Sequence, residues 1–197
     1  ITGAASQDMG LTSNVFPNEN CMKIQKACLE QIDGGKPEVS DAQIERLLVY
    51  MQNLAPPRQR KIKNKSVLAG KNLFKEIGCE SCHTPTYKTG EHPNHPELSN
   101  RIIKPYSDFL LHDMGKGLDD GVAEGEAKSY EWKTPPLWGI GLVKIVNKHT
   151  RFLHDGRAGS IEEAILWHDG EARNAKNNYI SLNKENREKL LFFLNSL

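Results

Sequence analysis

The stretch Gly78-Cys79-Glu80-Ser81-Cys82-His83-Thr84-Pro85 constrains this chain more than any other. Cys-x-x-Cys-His is the signature of c-type haem attachment. Two thiols on one helical turn can each form a thioether with a haem vinyl group, and the histidine that follows is carried beneath the iron as its proximal ligand. Cys79 and Cys82 are therefore expected to anchor one covalent haem c, with His83 as the fifth iron ligand. Two other readings compete. A zinc site would combine Cys79 and Cys82 with His92 and His95, but the gap from Cys82 to His92 is short for a finger. A redox dithiol would want a βαβ context, and no such pattern surrounds the motif. The added histidine favours haem.

Composition excludes more than it selects. The chain has 197 residues and is 38% hydrophobic, enough for the core of one domain or two small ones. Lys+Arg 26 against Asp+Glu 25 gives a net charge of +1, so the overall balance implies neither a nucleic acid nor an anionic membrane as partner. No apolar run approaches the ~20 residues of a transmembrane helix. The opening ITGAASQDMG lacks the basic-then-apolar pattern of a signal peptide. Since c-type attachment takes place outside the bacterial cytoplasmic membrane, the expected compartment is the periplasm, with the signal peptide not in this chain. Disulfides persist there, so Cys21 and Cys28 are expected to pair. Seven residues of continuous helix would set their Cα atoms ~10.5 Å apart, too far to bridge, so the segment between them must turn.

Residues 1 to about 37 read as mostly irregular, with a short helical stretch around Met22 to Ile32. Ser40 with Gln43 forms a capping box, and Ile44, Leu47, Leu48 and Met51 put an apolar stripe on a helix from about 41 to 54. The basic run 58–65 reads as a solvated linker. A second helix, about 66 to 77, carries Val67, Gly70, Phe74 and Ile77 on one face and delivers the chain into the haem motif. Gly70 on that face is unfavourable unless another backbone comes close. Residues 84 to 105 read as a surface loop in which His92 and His95 are bystanders. Ser160 with Glu163 opens a helix bearing Ile161, Ala164, Ile165 and His168 on one face, and Asn183 caps a terminal helix with Leu190, Phe193, Leu194 and Leu197 in a stripe. Trp138, Phe152, Leu153 and Trp167 are expected to line a dry pocket around the haem.

Glu45 to Leu54 align without a gap to Glu188 to Leu197, 143 positions further on. Read as an internal repeat, this makes residues 1–57 the C-terminal remnant of a first cytochrome c-like domain, 58–65 a basic linker and 66–197 the c-type haem domain. The expected fold class is mostly α, a cytochrome c-like domain with long irregular loops around one covalent haem.

The segments Gly70 to Pro85, Tyr106 to Gly115, Thr134 to Gly139 and Phe152 to His168 resemble the bacterial di-haem cytochrome c peroxidase superfamily. That superfamily includes the di-haem enzyme of methylamine utilisation, and the likeness is greatest to its branch of di-haem oxidoreductases sometimes labelled thiol oxidoreductase-like. The resemblance implies a reactive haem in a first domain and an electron-transfer haem in a second. This chain matches only the second in full, since the reactive haem motif has no counterpart here. The implied function is the electron-transfer half of a peroxidase-like oxidoreductase, with a second haem domain or chain, and a small redox protein or small molecule, as partners. The alternative is a stand-alone mono-haem electron carrier. The resemblance also bears on the sixth ligand. Met114 and His168 are the main candidates, with His112, His149 and His154 behind them. The superfamily places the distal ligand of its second haem fourteen positions after the histidine of an HDG-like motif, the separation between His154 and His168. It therefore implies bis-histidine ligation by His83 and His168, with His154 orienting the pocket and Met114 the runner-up.

Overall fold

The computed structural model describes all residues from Ile1 to Leu197, in two units, Ile1–Ala55 and Pro56–Leu197. No helix is long and apolar enough to cross a membrane.

The first unit holds three helices, α1 (Thr2–Gln7), α2 (Lys26–Leu29) and α3 (Asp41–Gln52). Ser40 N donates to Gln43 Oε1 at 2.9 Å, so the backbone entering α3 is satisfied as the capping box predicts. Cys21 and Cys28 form a disulfide with their Cα atoms 6.1 Å apart. Cys21 lies outside α2, so the chain turns between them as the bridge requires. The residues this unit buries are polar: Ser6, Thr12 and Ser13, with Thr12 N donating to Glu38 Oε2 at 2.9 Å. Along the stripe of α3, Ile44 and Leu48 are half-buried, while Leu47 and Met51 are exposed. The unit has no apolar core of its own.

The second unit is mostly helical with two short antiparallel ribbons. In chain order it contains α4 (Lys65–Glu76), β1 (Tyr87–Lys88), β2 (Ile102–Ile103), β3 (Leu111–Asp113), β4 (Glu131–Lys133), α5 (Val143–Asn147), α6 (Ile161–Trp167), α7 (Arg173–Ser181) and α8 (Lys184–Leu194). β1 pairs with β2, and β3 with β4.

Its core is made where α4 crosses α8. An added Cβ at Gly70 would collide with the Lys189 carbonyl and with the Phe193 side chain, which is why this apolar face carries a glycine. Phe74, Tyr106 and Phe193 pack edge-on around that crossing, with centroids 5.5 to 6.0 Å apart. Val67, Leu190 and Leu194 complete it. Burying each such side chain contributes about 2 kcal/mol, so this crossing anchors everything that leads into the cysteine motif.

Most of the basic run is exposed, but Gln59, Arg60 and Lys61 have partners near the end of the chain. Arg60 N donates to the Ser196 carbonyl at 2.7 Å, and its guanidinium donates to the carbonyls of Leu197 and Asn195. Gln59 Nε2 donates to Ser196 Oγ at 3.0 Å, and the Lys61 ammonium stands 4.7 Å over the Phe192 ring. The carbonyls of Asn195 and Leu197 lie just beyond the C-terminus of α8, where no helical donor follows, and a cation there satisfies them and opposes the helix dipole.

Candidate haem site

The helix α4 stops at Ile77, and Gly78 takes a left-handed conformation, φ +94°, that turns the chain into a short 3-10 segment, Cys79–Ser81. His83 N then donates to the Cys79 carbonyl at 2.9 Å, placing Cys79, Cys82 and His83 on one tight turn. Asp108 N donates to the Cys82 carbonyl at 2.8 Å and Ser107 N to the Thr84 carbonyl at 3.0 Å, tying the following loop to this turn. One consequence falls on His83. Its Nδ1 donates to the Tyr106 carbonyl at 2.8 Å, so the lone pair is on Nε2.

His168 reaches the same place from the other side. Ser160 caps α6 through Glu163 N, while the Glu163 carboxylate accepts from Gly159 N rather than from Ser160. The helix ends at Trp167, one residue short of the predicted stripe, and His168 itself is extended. Its ring is nevertheless turned inward, because Nδ1 donates at 2.7 Å to the Ala164 carbonyl, one of the acceptors the helix end leaves free. The two imidazoles face each other with centroids 6.5 Å apart and planes inclined by 44°.

Both rings line a cavity of about 830 Å³, which is within the range of cofactor pockets. Cys79, Cys82, Trp138, Phe152, Leu153 and His154 line it as well, and so does Met114. Trp167 does not. It is exposed, beneath the Arg157 guanidinium at 4.9 Å, so the expectation that it forms part of the pocket is corrected. His154 stacks on Trp132 with centroids 3.5 Å apart and planes within 9°. His149 does not line the cavity.

Burial is the main influence on the site's titrating groups. It lowers the His83 pKa to about 4, and it lowers that of His168 too. Both rings are therefore neutral near pH 7, the form that binds a metal. Burial pushes the Cys79 thiol up to about 12, so near pH 7 it is a neutral thiol and not the thiolate a redox dithiol uses. His92 and His95 lie outside the cavity. His92 Nδ1 accepts from His95 N at 3.1 Å, and His95 Nδ1 pairs with Glu97 at 3.2 Å.

His112, a minor ligand candidate in the sequence, has carboxylate partners that the sequence did not reveal. It lines the cavity from β3, with Nε2 donating to Asp108 Oδ2 at 2.8 Å and Nδ1 to Glu171 Oε2 at 2.7 Å. Burial opposes its charge, but these hydrogen bonds outweigh it and hold the pKa above the ordinary value. Cys82, Asp108 and His112 offer ligand atoms within 4.8 Å of one another, yet both nitrogens of His112 are already donors and leave no lone pair for a metal.

A mostly helical unit with two neutral, oppositely placed imidazoles beside a Cys-x-x-Cys-His turn defines a metal-cofactor redox domain. The chain belongs to the family described as di-haem oxidoreductase, putative peroxidase, whose model matches residues 1–197. No curated protein and no solved structure matches it.

The family implies a haem cofactor, and the residues fit one. A metal held between two imidazoles with bonds of about 2 Å, each nitrogen about 1 Å from its ring centre, keeps the centroids about 6 Å apart. The observed 6.5 Å leaves room for a single metal atom. Both imidazoles line a mainly apolar cavity, with Cys79 and Cys82 on its wall.

Proposed function

We propose that residues 56–197 are a cytochrome c-like domain carrying one covalent haem c on Cys79 and Cys82, with His83 and His168 as axial ligands, and that it transfers electrons within an exported di-haem oxidoreductase. The observation that carries this reading is the pair of facing imidazoles, each with Nδ1 tied to a backbone carbonyl, Tyr106 for one and Ala164 for the other. Such hydrogen bonds fix the tautomer and ring orientation that metal ligation needs. Bound there, haem supplies a one-electron ferric/ferrous couple.

The protein's own residues do the rest. His83 and His168 together would hold the iron and leave it no free position for peroxide, which favours electron transfer over peroxide chemistry at this site. Trp138, Phe152 and Leu153 keep water from the cavity and so bear on the potential. Met114 lines the same cavity but lacks the positioning that the two histidines have. The disulfide Cys21–Cys28 supports a periplasmic location. The first unit, with its exposed Ile24, Ile32, Leu47 and Met51 and no apolar core, supports a further haem domain or chain as partner rather than a stand-alone carrier.

Expression with c-type maturation machinery tests this. A pyridine haemochrome assay and the intact mass should show one covalent haem in a low-spin protein. Stoichiometric zinc in a colourless protein, or a low-spin spectrum that His168→Ala leaves unchanged, would overturn it.

A further inference from the structure

Haem c has two chemically different edges. The vinyl groups that take the thioethers lie on one edge of the macrocycle, and two propionate carboxylates lie on the opposite one. Cys79 and Cys82 therefore fix which wall of the cavity meets the vinyl edge, and the carboxylates need donors away from that wall.

Three contacts identify the cysteine wall. Asn178 Nδ2 donates at 3.2 Å to the carbonyl of Ile77, two positions before Cys79. Cys82 and His112 offer ligand atoms within 4.8 Å of each other, and Glu171 Oε2 accepts from His112 Nδ1 at 2.7 Å. The stretch from Glu171 to Asn178 thus covers this wall, and Lys176, itself 3.7 Å from Asp169 Oδ2, belongs to it. Lys133 belongs to it as well: its ammonium stands 5.7 Å from the Phe109 ring, and the N–H of the preceding Asp108 donates to the Cys82 carbonyl. Glu76 and Glu171 line the cavity on this side, where their carboxylates disfavour further negative charge.

Away from that wall, Trp138 and His154 supply the cavity's uncommitted side-chain nitrogens. Both come from the segment between β4 and α6. Trp132 gives its indole N–H to the Leu118 carbonyl at 2.7 Å, whereas the Trp138 Nε1–H has no acceptor in the protein. The backbone just before Trp138 is held by Leu137 N donating to the Pro105 carbonyl at 2.8 Å. His154 stacks face to face on Trp132, which leaves the edge of its ring clear. Asp155 Oδ2 is 4.0 Å from its Nε2, beyond hydrogen-bond reach, and is paired with Arg157. In either tautomer one His154 nitrogen is a donor.

We propose that Trp138 Nε1 and the His154 imidazole receive the two propionate carboxylates of the haem and so fix which way round it lies in the cavity. The proposal deepens the haem reading and rests on it. Donors that meet a carboxylate inside an apolar cavity form charge-assisted hydrogen bonds, stronger than neutral ones because little water competes. The same contact satisfies an indole N–H that the protein leaves unpaired.

The test uses the full chain with its covalent haem. In the diamagnetic Fe(II) protein, nuclear Overhauser effects should connect the Trp138 indole N–H and the His154 ring protons to propionate methylene protons. In resonance Raman spectra, Trp138→Phe and His154→Phe, the latter keeping a ring to stack on Trp132, should each shift a propionate bending mode to lower frequency. Both variants should keep the wild-type low-spin spectrum, and Lys176→Gln should leave the propionate modes in place. Wild-type protein without these Overhauser effects, unmoved modes in either variant, or modes shifted by Lys176→Gln would overturn the assignment while leaving the axial ligands intact. A chain that takes up no haem would remove the parent reading and this proposal with it.

Discussion

His83 and His168, 85 positions apart in sequence, face each other at 6.5 Å between ring centroids, each anchored through Nδ1 to a backbone carbonyl. The arrangement is symmetrical in chemistry but not in origin. His83 is held by a loop carbonyl 23 residues away, whereas His168 is held by the last turn of its own helix.

If His168 is an iron ligand as proposed, replacing it should remove one ligand without disturbing the other. His168→Ala should convert most of the low-spin ferric signal to high spin in low-temperature electron paramagnetic resonance. His168→Met should keep a low-spin iron but raise its reduction potential. A methionine charge-transfer band already present in the wild type, and lost in Met114→Ala, would show that Met114 is the ligand instead.

Gly70→Ala should be costly even though alanine is the better helix former. The added methyl meets the Lys189 carbonyl and Phe193, neither of which can retreat without separating α4 from α8. A loss of about 3 kcal/mol is expected from such overpacking, read as a lower urea midpoint at unchanged m-value.

The Asp108–His112–Glu171 cluster predicts a stability profile with two edges. The His112 pKa is raised, so its contribution is complete below the ordinary histidine value and is lost as pH rises through the folded value. The pKa of Glu171 is lowered, chiefly by the His112 hydrogen bond; that of Asp108 is lowered although burial opposes it, by hydrogen bonds from Leu110 N and His112. Their contribution is present above the ordinary carboxylate range and is lost on acidification. Thermal melts across pH 5 to 9 should show the alkaline decline in the wild type but not in His112→Gln. Equal slopes in both proteins would mean that His112 is not charged near neutrality.

Removing the disulfide should weaken the first unit selectively. Closing a loop of this size restrains the unfolded chain by about 2 to 3 kcal/mol. Cys21→Ser/Cys28→Ser should speed amide exchange and proteolysis within Ile1–Ala55, with the haem spectrum unchanged. Uniform loosening across both units would contradict this.

Several features were legible in the residues because they depend on local spacing. The helices α3, α4, α6 and α8 follow from apolar stripes and caps, and their ends fall within three residues of the expected ones. The pairing of Cys21 with Cys28 followed from compartment, and the close approach at Gly70 from the cost of a glycine on an apolar face. Even the misplacing of Trp167 had a local warning. It falls between Ile165 and His168, off the stripe set by Ile161, Ala164 and Ile165.

Other features had no local signal. The helix α7 is rich in asparagine and has no apolar stripe, yet its Tyr179 is fully buried and donates to Glu162 at 2.8 Å, and its Asn178 donates to the Ile77 carbonyl at the end of α4. Arg60 in the basic run looks solvated because its partners, the carbonyls of Asn195 and Leu197 just beyond α8, are more than 130 positions away. His112 looks like a spare ligand until Glu171, 59 positions on, takes its second nitrogen. By itself the sequence determined which residues form apolar stripes, cap helices and carry the Cys-x-x-Cys-His motif, since backbone periodicity and motif spacing are properties of neighbours. Only the tertiary structure decided which nitrogens are free to bind and which charges are neutralised, because each hydrogen-bonding atom is assigned by chain closure over long separations.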